Sequence, residues 1–134
     1  MRASLEALAV QRFVQRATPE QVAELRAAVT EIEETAGAAD PQHQLAAKDR
    51  FYAVLFTGSG SEPLQQTLAG LQARVRLLRA TSLSEPGRPA EAAAELRAVV
   101  DAVEAGDADA AAAACARHIH NAARTAIARL RSEG

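Results

Sequence analysis

The stretch EPLQQTLAGLQARVRLLRA, residues 62–80, carries the clearest helical pattern in this chain of 134 residues. Its apolar side chains recur every three or four residues, the spacing that places them on one face of an α-helix. A proline near its start suits the first turn of a helix. The stretch therefore predicts one long helix whose apolar stripe faces a core. The members of that stripe are Leu64, Leu68, Leu71, Val75 and Leu78.

Capping signals on either side of this stretch divide the rest of the chain into further helices. Thr18-Pro19 and Asp40-Pro41 each place an N-cap residue before a proline at the first helical position. Gly37 is suited to ending the second helix. The predicted helices cover about 4–16, 19–36, 41–58, 62–83, 90–105 and 108–131.

The composition supports an all-helical fold. Alanine, the best helix former and a poor strand former, makes up about a quarter of the chain. No stretch alternates apolar and polar residues as a half-buried strand does. We therefore expect one all-α domain over residues 1–134, an antiparallel bundle of about six helices. Leu8 and Leu130 are expected in its core, on the stripes of the first and last helices.

Charge and cysteine content exclude several classes of function. Fifteen basic against seventeen acidic residues give a net charge of -2, the wrong sign for a surface that binds a phosphate backbone. Cys115 is the only cysteine, which excludes an internal disulfide and favours a cytoplasmic location. No apolar run approaches the length of a membrane span, and the first residues lack a signal-peptide core. We expect a cytoplasmic protein that contacts no membrane.

Lys48 and Tyr52 are the polar residues with the most suggestive placement. They are four residues apart on the third predicted helix and share a face with Leu55, so both are directed towards the core or its edge. One interpretation is that Lys48 extends to solvent or pairs with a glutamate of a neighbouring helix. The other is that the lysine and the tyrosine hydroxyl line a polar cavity.

The remaining candidates favour structural roles. His118 lies at the boundary of the apolar stripe of the last helix, and His120 faces another side, so the two do not form a metal pair. His43 is expected on the surface and Cys115 in the core. No nucleophile, base and orienting group assemble, so we expect neither catalysis nor a cofactor. Three arginines of the fourth helix are expected at a solvated rim or a subunit contact: Arg74, Arg76 and Arg79.

Three groups of motifs have the order and spacing of one known family. R-x-x-L-E at 2–6 precedes A-T-P-E at 17–20, and F-Y, Leu and S-G-S follow within 51–61. The third group is E-L, Val, A-V and G-D within 95–107, with His118 after it. Together they resemble the FCD family, the all-helical, effector-binding C-terminal domain of GntR-type bacterial transcription regulators.

The resemblance bears on metal binding. FCD domains commonly hold a divalent metal with an aspartate, a histidine four residues later and two further histidines. The corresponding positions are Lys48, Tyr52, Leu96 and His118, so a single histidine is left. Because an ammonium, a phenol and an isobutyl group do not hold a cation, the resemblance implies that this chain has no metal site of the family's kind.

The same positions imply a different ligand site. Lys48, the only lysine, places a positive charge where the family has its metal, and would anchor a small carboxylate directly. Tyr52 and His118 would be its hydrogen-bond partners. Arg2 matches a family position that contacts the ligand carboxylate, and its guanidinium has the fork geometry for that role. Ser61 stands where the family has an asparagine.

The function implied is that of a non-enzymatic sensing and dimerisation domain. It would bind a small carboxylate effector and form a homodimer, and it would reach DNA only through the family's N-terminal winged helix-turn-helix domain, which is absent from this chain. The alternative is a purely structural dimerisation bundle without an effector, whose cavity is filled by Tyr52 and Leu96. The two hypotheses differ in whether Lys48 faces a cavity.

Overall fold

The computed structural model describes residues 2–133, with the side chains of residues 3–131, and this part of the chain contains helices and no strand. The prediction of an all-helical bundle is confirmed. Seven helices follow one another, joined by short turns: α1 (Arg2–Arg16), α2 (Pro19–Thr35), α3 (Pro41–Gly58), α4 (Glu62–Arg74), α5 (Arg76–Leu83), α6 (Arg88–Glu104) and α7 (Ala108–Glu133).

The helix starts form where the capping residues predict them. The Thr18 hydroxyl accepts a hydrogen bond from the Gln21 backbone N–H at 3.2 Å, and the Gln21 side chain accepts one from the Thr18 backbone N–H at 2.9 Å. This reciprocal capping box supplies partners at the start of α2. Asp40 caps α3 through the backbone N–H of Gln42. Local sequence therefore accounts for these boundaries.

The predicted fourth helix is interrupted at Val75, which is the main difference from expectation. Val75 has φ -99° and ψ 9°, outside the helical range, and it separates α4 from α5. The two halves pack against different neighbours, because α4 contacts α1 and α3 whereas α5 packs mainly against α7. Apolar periodicity is a local signal, so it does not register this change of packing partner.

The expected core positions are right in most helices and wrong at three leucines. Leu8, Leu78 and Leu130 are each more than two-fifths exposed. On α1 the buried face is instead formed by Glu6, Ala9, Val10 and Phe13. On α5 it is formed by Arg79, Ser82 and Leu83.

The packing of the helices places α3 and α7 on opposite sides of the interior. α7 packs against α1, α5 and α6, while α3 packs against α1, α2, α4 and α5. α1 and α5 therefore contact both helices and bridge them. Side chains directed inward from α3 and α7 consequently share one enclosed region, which positions the candidate site.

Candidate functional site

The bundle interior contains an unusual number of polar side chains. Three of them are cationic, and burying a charge is costly unless it is paired. The buried polar residues are Glu6, Gln44, Lys48, Ser59, Gln72, Arg79, Ser82, Arg88 and His118.

One group of these side chains joins α6 to α7 around the carboxylate of Glu95. Arg88, two turns earlier on α6, donates two hydrogen bonds to it, at 2.9 and 2.7 Å. His118 and Asn121, one turn apart on α7, reach the same carboxylate from the facing helix at 2.7 and 3.0 Å. Spacings of seven and three residues place each pair on one helical face, so the network is built by two helices.

The electrostatics of this network favour an ionised glutamate beside a neutral histidine. Burial acts to raise the pKa of Glu95, but the hydrogen bonds from His118, Arg88 and Asn121 outweigh it and lower the pKa to about 2. Burial lowers the pKa of His118 to about 3, the charge of Lys48 adds to this effect, and the bond to Glu95 opposes it. Both shifts keep Glu95 negatively charged and His118 neutral at neutral pH.

Lys48 and Tyr52 are both buried in the bundle. Lys48 is only 3% exposed, and its charge acts on His118 across the interior. Tyr52 packs edge-on against Phe51, with ring centroids 5.5 Å apart, and lies at a tilt against Phe56. The structure therefore brings Lys48 near His118, while Tyr52 belongs to an aromatic group on the same helix.

The other sequence candidates lie apart from this region or outside the description. The side chain of Arg2 lies outside the described residues. Ser61 caps α4 by accepting a hydrogen bond from the Leu64 backbone N–H. His43 is exposed and Cys115 is buried, both as expected.

Arg79 corrects the prediction of a solvated arginine rim. Its side chain is 4% exposed, whereas Arg74 and Arg76 are exposed as expected. The guanidinium carbon lies 5.7 Å from the centroid of the Tyr52 ring, a cation–π contact. The break at Val75 places Arg79 at the start of a new helix that packs against α7. That change of packing is why its burial was missed.

An open cleft of about 340 Å³ lies between α3, α4 and α5. Tyr52 and Arg79 are in its wall, but Lys48 and His118 are not. The cleft is mainly apolar, with a few polar groups, which is the usual character of a small-molecule site. Of the three residues expected to converge on one cavity, this cleft thus contains only Tyr52.

The described residues contain neither a cluster of metal ligands nor a membrane-spanning helix. Among the residues that the structure describes, no group of three or more histidine, cysteine, aspartate or glutamate side chains is arranged to hold a metal ion. Across the same residues, no helix has both the length and the apolar character needed to span a membrane.

Sequence reasoning missed the importance of Glu95 and Arg88. In the sequence Glu95 is part of a family motif, and Arg88 lies between the predicted helices 62–83 and 90–105. A usable signal existed, because the two are seven residues apart and share the face of α6 that carries Leu96 and Val99. A charge pair at that spacing beside buried apolar residues indicates a partner on another helix, here His118.

Comparison with known proteins gives a family and two similar structures. The model of the FCD domain family matches residues 1–121. The metal-free FCD domain of TM0439, a protein assigned as a transcriptional regulator, superimposes with a TM-score of 0.78 at 18% identity, covering 98% of this chain and 89% of that one. McbR/YncC of E. coli has a TM-score of 0.78 at 19% identity, covering 99% of this chain and 65% of that one. No curated protein matches.

Proposed function

Because the chain belongs to the FCD domain family, we propose that it is the effector-binding and dimerisation domain of a GntR-type transcription regulator. It senses a small organic acid without a metal and has no catalytic activity. It works in the cytoplasm as a homodimer, and contact with DNA is made by a winged helix-turn-helix domain outside this chain.

The burial of Lys48 carries this proposal. An ammonium group placed 3% exposed within a helical bundle is costly and is maintained only where anionic or polar groups surround it. Lys48 occupies the position of the family's metal-ligating aspartate, as the motif comparison implies. A positive charge at this position supplies to a carboxylate what the metal supplies in other members.

The proposed ligand site consists of Lys48, Tyr52 and His118, with Arg2 and Ser61 at the ends of neighbouring helices. The neutral His118 supports this assignment, because its Nδ1 is bonded to Glu95 and its other nitrogen is available to a ligand hydroxyl or acid proton. Tyr52 lies one turn along α3 from Lys48 and also lines the open cleft.

Dense packing around Leu96 favours the alternative of a structural dimerisation bundle without an effector. Leu96 occupies the position of a family histidine and is completely buried. Lys48 and His118 do not line the open cleft. In this alternative, Lys48 contributes only to the internal charge balance of the bundle.

A thermal-shift experiment separates the two functions. Aliphatic mono-, di- and hydroxycarboxylates at millimolar concentration are added to the wild type, to Lys48→Met and to Arg50→Met. Arg50 is an exposed cation on the same helix, paired with Glu31, so its variant controls for loss of charge. Effector binding at Lys48 predicts a concentration-dependent rise in Tm that is equal in the wild type and Arg50→Met and smaller in Lys48→Met. No rise with any acid would support the structural bundle.

A further inference from the structure

The cleft between α3, α4 and α5 has a buried cationic wall. Apolar side chains form most of its lining, notably Phe56, Ala69 and Ala73. Arg76 and Asp49 lie at its more exposed side, and Arg79 is within the wall. At about 340 Å³ the cleft is within the size range of small-ligand pockets, at the lower end of about 300–1,000 Å³.

Arg79 has donor capacity that the protein does not use. Its Nε and Nη2 are shielded from water; Nε makes no hydrogen bond, and the only polar contact of Nη2 is with Asp49. Asp49 Oδ1 lies 2.9 Å from Nη2 as an ion-pair contact, but the same carboxylate also bonds to Arg76 at 2.6 Å. One half-exposed carboxylate therefore serves two guanidinium groups. A buried donor without an acceptor is destabilising, and an incoming anion would relieve that cost.

Arg79 also borders a second cleft. A second, apolar cleft of about 250 Å³ lies between α5 and α7, lined by Val75, Leu78 and Ile119, and Arg79 is in its wall too. The side chain of Arg79 therefore borders two clefts, one beside Tyr52 and one beside Ile119.

Gln72 offers the complementary group in the same cleft. Its side-chain nitrogen donates to Glu6 at 3.3 Å, which leaves Oε1 as a buried acceptor without a hydrogen bond. Gln72 lines the cleft together with Arg79. The wall thus presents an unused charged donor and an unused neutral acceptor on neighbouring helices.

We propose that this cleft binds a small carboxylic acid that carries a hydroxyl group, with Arg79 as its anchor. The carboxylate accepts hydrogen bonds from the Arg79 guanidinium, the hydroxyl donates to Gln72 Oε1, and the apolar body packs on Phe56. This proposal rests on the proposed function, the sensing of a small organic acid, and adds a second anion site to it: in this cleft Arg79, not Lys48, holds the carboxylate.

The site can be observed directly because the chain has one tyrosine and no tryptophan. That tyrosine is Tyr52, in the wall of the cleft and beneath Arg79. Its fluorescence is titrated with 2-hydroxy-4-methylpentanoate, which has the required groups and does not absorb at the excitation wavelength. The uncharged 2-hydroxy-4-methylpentanamide and the deoxy acid 4-methylpentanoate test the carboxylate and the hydroxyl separately. Melting temperature is recorded in parallel.

The variants are chosen so that each tests one group. Arg79→Met removes the proposed anchor, and an apolar replacement of an unsatisfied buried cation is expected to fold. Arg79→Lys provides a second test if the first variant is unstable, since it keeps the charge but loses the fork. Arg76→Met is the matched control, because it removes an exposed cation from the same cleft and the same Asp49 pair. Gln72→Met tests the acceptor.

We expect the hydroxy acid to alter Tyr52 emission in the wild type and Arg76→Met, and the amide to have no effect. Loss of a charged hydrogen bond should weaken binding about ten- to a hundredfold in Arg79→Met and Arg79→Lys. Gln72→Met should bind the hydroxy and deoxy acids equally. An unchanged affinity in both Arg79 variants, with loss in Lys48→Met, would overturn this site while the proposed function stands. No response of the wild type to either acid would also overturn this site, whereas the proposed function is tested by the wider set of carboxylates.

Discussion

Nδ1 of His118 lies 2.7 Å from Oε1 of Glu95, and this bond determines which nitrogen of the buried imidazole carries the proton. Glu95 is ionised, with a pKa of about 2, so its oxygens only accept hydrogen bonds. Nδ1 must therefore be the donor, and Nε2 is the unprotonated nitrogen. The buried Arg88 in turn holds the glutamate by two bonds, which makes Glu95 the centre of the α6–α7 contact.

Replacing Glu95 by glutamine should strongly destabilise the fold. The change leaves the Arg88 guanidinium, whose side chain is 2% exposed, without its main counter-charge, and breaking a buried pair in this way costs about 3–5 kcal/mol. Glu91→Gln is the control, because Glu91 is 69% exposed and lies 3.6 Å from the same arginine. Urea unfolding measures both. Equal, small losses of free energy would show that the network contributes little.

Stability should fall as the pH is lowered below about 6.5. The unfolded chain protonates His118 near that pH, whereas the folded protein resists protonation until about pH 3, so the unfolded state binds more protons between these values. Glu95 adds to the loss of stability as the pH falls from about 4.5 to about 2, because the pKa of Glu95 in the folded protein is also lowered. His118→Gln should flatten the pH dependence of Tm above pH 4.5. The exposed His120→Gln should follow the wild type, and an identical profile in the His118 variant would contradict the assignment.

Two glycines on neighbouring helices should respond oppositely to alanine. A Cβ at Gly58, the last residue of α3, would lie 2.3 Å from a ring carbon of the buried Phe13, and such overpacking costs about 1–3 kcal/mol. A Cβ at Gly70 of α4 meets nothing within 4 Å, and removing a helical glycine there should stabilise by about 0.5–1 kcal/mol. Thermal unfolding tests the pair. A stabilised Gly58→Ala would show that α1 and α3 approach less closely.

Self-association should depend on the outer face of α5 and α7. Leu77 and Leu78 on α5 and Ile127 and Leu130 on α7 are exposed leucine and isoleucine side chains on two helices that pack together. Leu77 is 78% exposed, so Leu77→Asp should not unfold the chain but should shift the proposed homodimer towards monomer. Ala27→Asp is the control, because it places the same charge on an exposed position of α2. Sedimentation velocity would contradict the prediction if both variants associate like the wild type.

The protein should carry no stoichiometric transition metal when purified without chelator. The position that corresponds to the family's aspartate holds Lys48, whose buried ammonium repels a cation. Elemental analysis for zinc, nickel and manganese is the measurement, with His118→Gln as a control for incidental binding. About one metal per chain, lost in that variant, would show that a different set of ligands has formed.

Local sequence was sufficient for the helices and their ends. The capping box at Thr18 and the Asp40 cap form from residues two or three positions apart, and the same short-range interactions operate in any context. The family motifs are also local, and they identified Lys48 and His118 as the positions of interest. Both prove to be buried.

Tertiary packing decided everything that joins distant parts of the chain. The interruption at Val75, the burial of Arg79 and the contact of Glu95 with His118 all depend on where α7 lies relative to α5 and α6. Helical periodicity states which residues share a face, but it does not state which other helix that face meets. Glu95 and His118 are 23 residues apart, and only the crossing of their two helices brings the carboxylate and the imidazole within 2.7 Å.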